Sequence, residues 1–145
     1  MTRRILVPID GSDHSWKAFE YALETFGGEE VHVLHVVDPS ESVYTGVEGG
    51  YYDPRSFEVA REAGEELCEE ALDHAERMGM LETTVLETAV EVGRPTREIL
   101  EYAAEQGVDQ IVMGSHGRSG VSRVLLGSVA ETVMRRAAVP VTILR

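Results

Sequence analysis

The residues best suited to chemistry form a glycine-rich stretch late in the chain. It reads Gly114-Ser115-His116-Gly117-Arg118-Ser119-Gly120 and continues to Gly127-Ser128. An apolar run at 110–113 precedes it and predicts a buried strand, while 129–137 predicts a helix that begins near Ser128. A glycine-rich turn between a strand and a helix lets backbone N–H groups approach an anion, and the helix start adds unpaired donors. The stretch therefore predicts a phosphate-binding turn, although such turns also occur where no ligand binds.

The elements that must position this turn alternate strictly along the chain. Apolar runs predict strands at 3–10, 31–37, 83–92, 110–113 and 139–144, and helical periodicity predicts helices at 12–26, 54–78, 96–106 and 129–137. This alternation predicts a single doubly wound α/β domain over 1–145, with a five-stranded parallel sheet of order 3-2-1-4-5 and helices on both faces. The polar alternation of the third strand and Pro140 in the fifth place these two strands at the sheet edges.

The predicted strand order connects two segments that are distant in sequence. Ligands of doubly wound sheets bind beyond the carboxyl ends of the strands, where the strand order reverses. That crevice is predicted between the strand ending at Asp10 and the strand ending at Gly114. Asp10 is therefore a candidate ligand contact, and the competing interpretation is a structural role, in which its carboxylate caps the next helix or holds the Gly11 turn.

The charge balance limits the classes of partner. The chain has 13 basic and 26 acidic side chains, a formal net charge of −13, and Lys17 is its only lysine. Such an acidic surface argues against nonspecific binding to nucleic acid or to anionic membranes. It favours adaptation to a high-salt cytoplasm (a halophilic protein), and an ordinary acidic cytosolic protein is the alternative.

Cysteine content and hydropathy indicate the compartment. Cys68 is the only cysteine, so an intrachain disulfide is impossible and a reducing compartment is the simpler interpretation. No apolar run approaches the length of a membrane span, and the N-terminal residues lead directly into a strand without a signal-peptide pattern. We expect a cytoplasmic protein.

Motif searches exclude several chemistries. The sequence contains no Gly-x4-Gly-Lys-Ser/Thr loop, no Gly-x-Gly-x-x-Gly after the first strand, no Cys-x-x-Cys and no His-Glu-x-x-His. His32 and His35 lie three apart on a strand and face opposite sides, so they cannot form a metal pair. His35 is expected to be a hydrogen-bonded histidine near the core, and His116 an ordinary solvated one unless a ligand uses it. We identify no catalytic or metal-ligating residues.

Three further features have structural alternatives. Ser128 and Glu131 have capping-box spacing, which predicts Ser128 as an N-cap whose hydroxyl must be shared with any phosphate. Gly127 is either part of the site or a glycine required by tight packing. The long loop at 38–53 is either a lid or a disordered segment.

The last strand suggests an interface. Val139, Val141 and Ile143 alternate on an edge strand, and an uncovered hydrophobic edge is a liability. We predict a two-fold homodimer in which the C-terminal edge strands approach one another.

The spacing Gly114-x2-Gly117-x9-Gly127-Ser128 resembles the nucleotide-binding signature of the universal stress protein family. The segments Ile5-Leu6-Val7-Pro8-Ile9-Asp10-Gly11-Ser12, Leu34-His35-Val36-Val37-Asp38 and Val139-Pro140-Val141 resemble the same family at matching places. The resemblance covers essentially the whole chain and indicates the ATP-binding branch of the family.

The resemblance implies an ATP-binding domain that dimerises through its last strand. It places Pro8 and Asp10 at the adenosine end and the backbone of Val36 against adenine. Ribose and phosphates are implied to lie against the glycine stretch, which comprises Gly114, Ser115, His116, Gly117, Arg118, Ser119 and Gly120. The terminal phosphates are implied to lie at the helix start, which comprises Gly127, Ser128, Val129 and Ala130.

Three functions follow as hypotheses. The first is a regulatory module for stress response that binds ATP and presents a nucleotide-dependent surface to an unidentified protein partner. Mg²⁺ or Mn²⁺ is expected on the ATP phosphates, because a protein this acidic repels a polyanion. The second is an enzyme that slowly hydrolyses ATP or phosphorylates itself, although no general base is evident near the phosphate end. The third is an interaction module whose crevice is empty or takes AMP or a cyclic nucleotide.

Overall fold

A computed structural model describes residues 2–40, 54–116 and 126–145. The predictions for most of the 38–53 loop and for Gly117, Arg118, Ser119 and Gly120 lie outside these ranges. Within them, strands and helices alternate in the order β1 (Arg4–Pro8), α1 (Asp13–Thr25), β2 (Glu30–Val37), α2 (Pro54–Arg77), β3 (Val85–Val92), α3 (Pro95–Glu105), β4 (Gln110–Gly114), α4 (Ser128–Arg136) and β5 (Val141–Leu144).

The strands form one parallel sheet of order β3-β2-β1-β4-β5, which confirms the predicted topology. β1 lies between its two neighbours, with Leu6 opposite both His32 of β2 and Ile111 of β4. The strand order reverses at β1, because β2 and β3 lie on one side of it while β4 and β5 lie on the other. β3 and β5 are the edge strands, as the sequence predicts.

Helices cover both faces of the sheet and bury two separate apolar clusters. On one face, Phe19 and Leu23 of α1 and Ala71 and Ala75 of α2 pack against strand residues, namely Ile5, Val7, Val31, Val33 and Val112. On the other face, α3 and α4 pack against a second cluster, whose buried members are Leu6, Leu34, Ile99, Ala103, Val108, Ile111, Met113, Ala130 and Val133. Strands covered on both faces are expected to be almost continuously apolar, which is what made them recognisable in the sequence.

The longest described helix, α2, is amphipathic. It buries Cys68, Ala71 and Ala75 while its outer face carries exposed acidic side chains, namely Glu62, Glu65, Glu66, Glu69, Glu70 and Asp73. Across the three described ranges, no helix has the length and apolar character needed to cross a membrane.

Three of the differences from the predicted strand boundaries have a local reason. β1 ends at Pro8, because Asp10 turns the chain into α1 rather than continuing the ladder. β3 begins at Val85, since the preceding Thr84 is buried and donates its hydroxyl to the Gly27 carbonyl at 2.5 Å. β5 begins at Val141, although the carbonyl of Pro140 already accepts the Ile111 amide at 3.0 Å.

Candidate functional site

The start of α1 and the end of β4 are in direct contact at the point where the strand order reverses. A Cβ added to Gly114 would lie only 2.7 Å from His14 Cβ and 2.8 Å from the His14 carbonyl carbon. Gly114 is therefore required by the packing of β4 against α1, whatever else it contacts. The contact places the turn after β1 beside the turn after β4, as the switch-point argument predicts.

The turn after β1 is closed by Asp10. One carboxylate oxygen of Asp10 accepts the Ser12 amide at 2.9 Å, and Gly11 between them has φ +84°. Ser12 then caps α1, since its hydroxyl accepts the Ser15 amide at 3.2 Å. The structural role for Asp10 that the sequence left open is thus present in the fold, and its contact with a ligand stays a prediction.

His116 is buried, which corrects the expectation of a solvated loop histidine. Only 7% of its surface is exposed, and its Nδ1 lies 3.1 Å from the hydroxyl of Ser115, which is itself buried. Its ring meets the ring of His14 edge-on, with the centroids 5.3 Å apart. Within the described ranges, His116 Nε2 has no hydrogen-bond partner. A buried polar atom left unsatisfied costs about 1–3 kcal/mol, so a ligand that pairs with this nitrogen would recover that free energy.

The start of α4 corrects the prediction for Ser128. Gly127 is the N-cap, Ser128 is the first helical residue, and the Glu131 amide bonds to the Gly127 carbonyl at 3.0 Å rather than to the Ser128 hydroxyl. The Glu131 carboxylate pairs with Arg135 at 2.8 Å instead of reaching back to the cap. The capping box is absent because Ser128 lies one position too far along the helix.

Gly127 is held by the end of β4. Its amide donates to the Ser115 carbonyl at 2.7 Å, and an added Cβ would lie 3.1 Å from that same oxygen. The alternative of a tight-packing glycine therefore applies to this position. The hydrogen bond also fixes the start of α4 directly beside Ser115 and His116.

The first turn of α4 has backbone amides that the helix itself does not satisfy. With a glycine as N-cap, no side chain among the described residues caps the helix, and the amides of Ser128, Val129 and Ala130 are the ones an α-helix leaves without intrahelical acceptors. Ser128 is exposed, Val129 is partly buried, and the Ala130 side chain belongs to the core. These residues can offer a ligand three backbone donors, one hydroxyl and the positive end of the helix dipole.

The predicted adenosine end lies on the neighbouring strands. Pro8 is the last residue of β1 and is half-buried opposite Leu34. Val36 lies near the end of β2 opposite Glu91, and its side chain packs on the face covered by α3 and α4. Both residues lie at the carboxyl ends of their strands, where the resemblance requires them.

Two histidines of β2 are held by specific contacts. His35 is buried and hydrogen-bonded to the Ile9 carbonyl, which confirms its prediction as a near-core histidine, while His32 faces the opposite side and contacts Tyr102. The sequence patterns did not predict the position of His14 against Gly114 and His116. Only the contact between α1 and β4 reveals it, and no local sequence signal encodes that contact.

The described side chains form no evident metal centre. Among residues 2–40, 54–116 and 126–145, no three histidine, cysteine, aspartate or glutamate side chains converge to hold an ion.

The fold defines a class, that of doubly wound α/β proteins, in which ligands bind where the strand order reverses. Within that class, the chain belongs to the universal stress protein family, whose sequence profile matches residues 1–145. It is 36% identical over 146 residues to universal stress protein MJ0531 of Methanocaldococcus jannaschii, covering 99% of this chain and 82% of that protein.

Solved structures agree with this assignment. Universal stress protein UspA from Lactobacillus plantarum superposes with a TM-score of 0.72 at 28% identity, covering 99% of this chain and 97% of that one. A universal stress protein crystallised in complex with cAMP superposes with a TM-score of 0.67 at 26% identity, again covering 99% of this chain and 97% of that one.

Proposed function

We propose that this protein is a nucleotide-dependent regulatory module that binds ATP in the crevice between the ends of β1 and β4. The observation that carries the proposal is the start of α4, where no side chain in the described part of the chain caps the helix and which the Gly127–Ser115 hydrogen bond holds beside buried His116. Amides without intrahelical acceptors at a helix N-terminus are suited to phosphate, and the nearby His116 Nε2, which has no partner among the described residues, adds a further polar contact.

The nucleotide is proposed to lie across the switch point. The terminal phosphates bind the amides of 128–130 and the Ser128 hydroxyl, and the glycine stretch from Gly114 to Gly120 wraps the ribose and the remaining phosphates. Asp10 accepts a hydrogen bond from ribose or base, next to Pro8, and the Val36 backbone contacts adenine. Mg²⁺ or Mn²⁺ bound through the phosphates offsets repulsion between ATP and a chain of net charge −13.

The relative crystallised with cAMP supports an adenine nucleotide as the ligand of this protein, but it does not indicate how many phosphates that nucleotide carries. ATP and cAMP share the adenosine moiety and differ in how many phosphates need donors. Three amides and a hydroxyl at the start of α4 offer more donors than one cyclic phosphate uses, which favours ATP.

The test identifies what the protein retains and what it binds. Mass spectrometry of nucleotide released from purified protein is combined with calorimetric titration of ATP, AMP and cAMP, with and without Mg²⁺, in high salt. A Gly117→Val variant, which places a branched side chain in the glycine stretch, should lose binding while it keeps its fold by circular dichroism.

Each outcome decides between functions. If wild type binds ATP and the variant does not, the proposal is supported. If wild type binds cAMP or AMP more tightly than ATP, that nucleotide is the ligand instead of ATP. Turnover of ATP that disappears on mutation of a crevice residue would establish the enzyme alternative. Wild type that ignores every adenine nucleotide would contradict the proposal and leave an interaction module.

We further propose a cytoplasmic homodimer formed through β5, which communicates nucleotide binding to a protein partner in stress response. β5 is an edge strand, and Val139, Val141 and Ile143 are only partly covered by the cluster beneath α3 and α4. Light scattering should give twice the 16.0 kDa chain mass. A monomer across the whole range of salt concentrations would contradict the dimer.

A further inference from the structure

We infer that His35 is a positioning residue that sets the orientation of the Asp10 turn. His35 lies near the end of β2 with 6% of its surface exposed. Its Nδ1 is 2.8 Å from the carbonyl oxygen of Ile9, the residue before Asp10. Because a carbonyl only accepts, Nδ1 must carry the proton and donate, which fixes the tautomer of the neutral ring.

The helix above His35 is shaped to admit its ring. Gly64 lies in the middle of α2, where glycine weakens a helix relative to alanine. A Cβ at Gly64 would lie 2.6 Å from His35 Cδ2 and 3.3 Å from Val90 Cγ1. The helix therefore has a glycine where the imidazole needs space, and the ring is wedged between α2 and the sheet.

The hydrogen bond acts on the residue that leads into the site. The Ile9 amide donates to the Leu34 carbonyl at 2.8 Å, so β2 holds Ile9 through both its N–H and its C=O. The next residue, Asp10, is thereby fixed in direction as it leaves the sheet and accepts the Ser12 amide. The consequence for ligand binding rests on the proposed function, in which Asp10 contacts the adenosine moiety.

A buried histidine could also serve only to fill space, and the test must separate these roles. His35→Asn keeps a side-chain N–H close to the position of Nδ1, whereas His35→Leu fills a similar volume without a donor. Gly64→Ala displaces the imidazole from the helix side without replacing His35 itself. This variant provides the test if His35→Leu does not fold. Gly28→Ala is the control, because an added Cβ there meets nothing within 4 Å.

The first experiment uses ligand-free protein. In ¹⁵N-labelled samples, His35→Leu and Gly64→Ala should shift the Ser12 amide resonance and speed its hydrogen exchange about tenfold, as the Asp10 contact loosens. His35→Asn should stay close to wild type, as should Gly28→Ala. An unchanged Ser12 amide in both His35→Leu and Gly64→Ala would overturn the inference, whether or not the protein binds a nucleotide.

The second experiment measures the effect on binding. Wild type should prefer ATP over 2′,3′-dideoxy-ATP, and His35→Leu should lose about tenfold of that preference, since its Asp10 is no longer oriented. Asp10→Asn should lose a similar amount, and the double variant no more than either. Intact selectivity in His35→Leu would overturn the inference. Wild type that binds no nucleotide would instead refute the proposed function, with the Ser12 amide still deciding the role of His35.

Discussion

Two serines at the starts of two helices have different roles in this fold. The Ser12 hydroxyl accepts the Ser15 amide and caps α1, whereas Ser128 follows a glycine cap and is exposed at the first position of α4. Both serines precede an apolar helical pattern, so sequence alone predicts the same role for each. The difference arises because the Ser115 carbonyl binds the Gly127 amide and thereby sets where α4 begins.

This difference predicts that replacement by alanine affects stability at Ser12 and ligand affinity at Ser128. Ser12→Ala should lower the free energy of unfolding by about 1 kcal/mol, the usual value of a side-chain N-cap. Ser128→Ala should change it by less than about 0.5 kcal/mol, as for an ordinary surface position, yet weaken ATP binding. Urea unfolding and calorimetric titration of both variants measure the two effects. Equal loss of stability in both, with no change in affinity for Ser128→Ala, would show that Ser128 is only a cap.

A second prediction concerns the glycine at the end of β4. Gly114→Ala places a Cβ against the backbone of His14, so α1 must shift, and we expect a loss of about 1–3 kcal/mol in the free energy of unfolding. Gly28→Ala, which adds a Cβ to open space at an ordinary φ, should instead stabilise by roughly 0.4–1 kcal/mol. Urea unfolding compares the pair, and a Gly114→Ala variant as stable as wild type would exclude the close packing of β4 on α1.

At the scale of elements, the sheet was predictable and the contacts at its carboxyl end were not. Runs such as Val31–Val37 are apolar because both faces are covered, and that physical requirement is visible in the sequence. The burial of His116 and the closeness of Gly114 to His14 depend on how α1 crosses the end of β4. Local patterns carry no information about that crossing. Family resemblance therefore indicated the site residues, and only the fold revealed which of them the packing also requires.

At the opposite end of the sheet, His32 links β2 to α3. Its Nδ1 lies 2.7 Å from the Tyr102 hydroxyl and its Nε2 lies 2.8 Å from Glu30. The hydrogen bond from His32, helped by Arg4 and opposed by burial, lowers the pKa of Glu30. A lowered carboxylate pKa stabilises the folded state above the ordinary glutamate range, and that stability is lost as the pH falls through the lowered value.

Glu30→Gln should therefore flatten the acid side of the stability profile. Between about pH 5 and pH 3, wild type should lose stability more steeply than the variant. Only in wild type does the Glu30 carboxylate take up a proton on unfolding, because its pKa is higher in the unfolded than in the folded state. Glu98→Gln is the control of opposite sign, since burial raises the pKa of Glu98 and its removal should steepen the acid loss. Urea unfolding at stepped pH measures both, and parallel profiles for wild type and Glu30→Gln would refute the role of His32.

At the scale of the whole molecule, acidic repulsion predicts salt-dependent stability. The net charge is −13. The Debye length, over which charges interact, shortens from about 10 Å at 0.1 M salt to about 3 Å at 1 M. The melting temperature should therefore rise with KCl over this range. A triple variant of exposed α2 residues, Glu62→Gln, Glu66→Gln and Glu69→Gln, should melt higher than wild type at low salt and respond less to KCl. Equal responses would remove the case for adaptation to high salt.

The nucleotide is proposed to bind where the strand order reverses, and titration of ¹⁵N-labelled protein with Mg–ATP locates its contacts residue by residue. The amide resonances that change should belong to 10–12, Val36, 114–116 and 128–130, while those at 105–110, at the amino end of the sheet, should stay still. Changes concentrated away from the ends of β1 and β4, or no changes at saturating Mg–ATP, would contradict the claim.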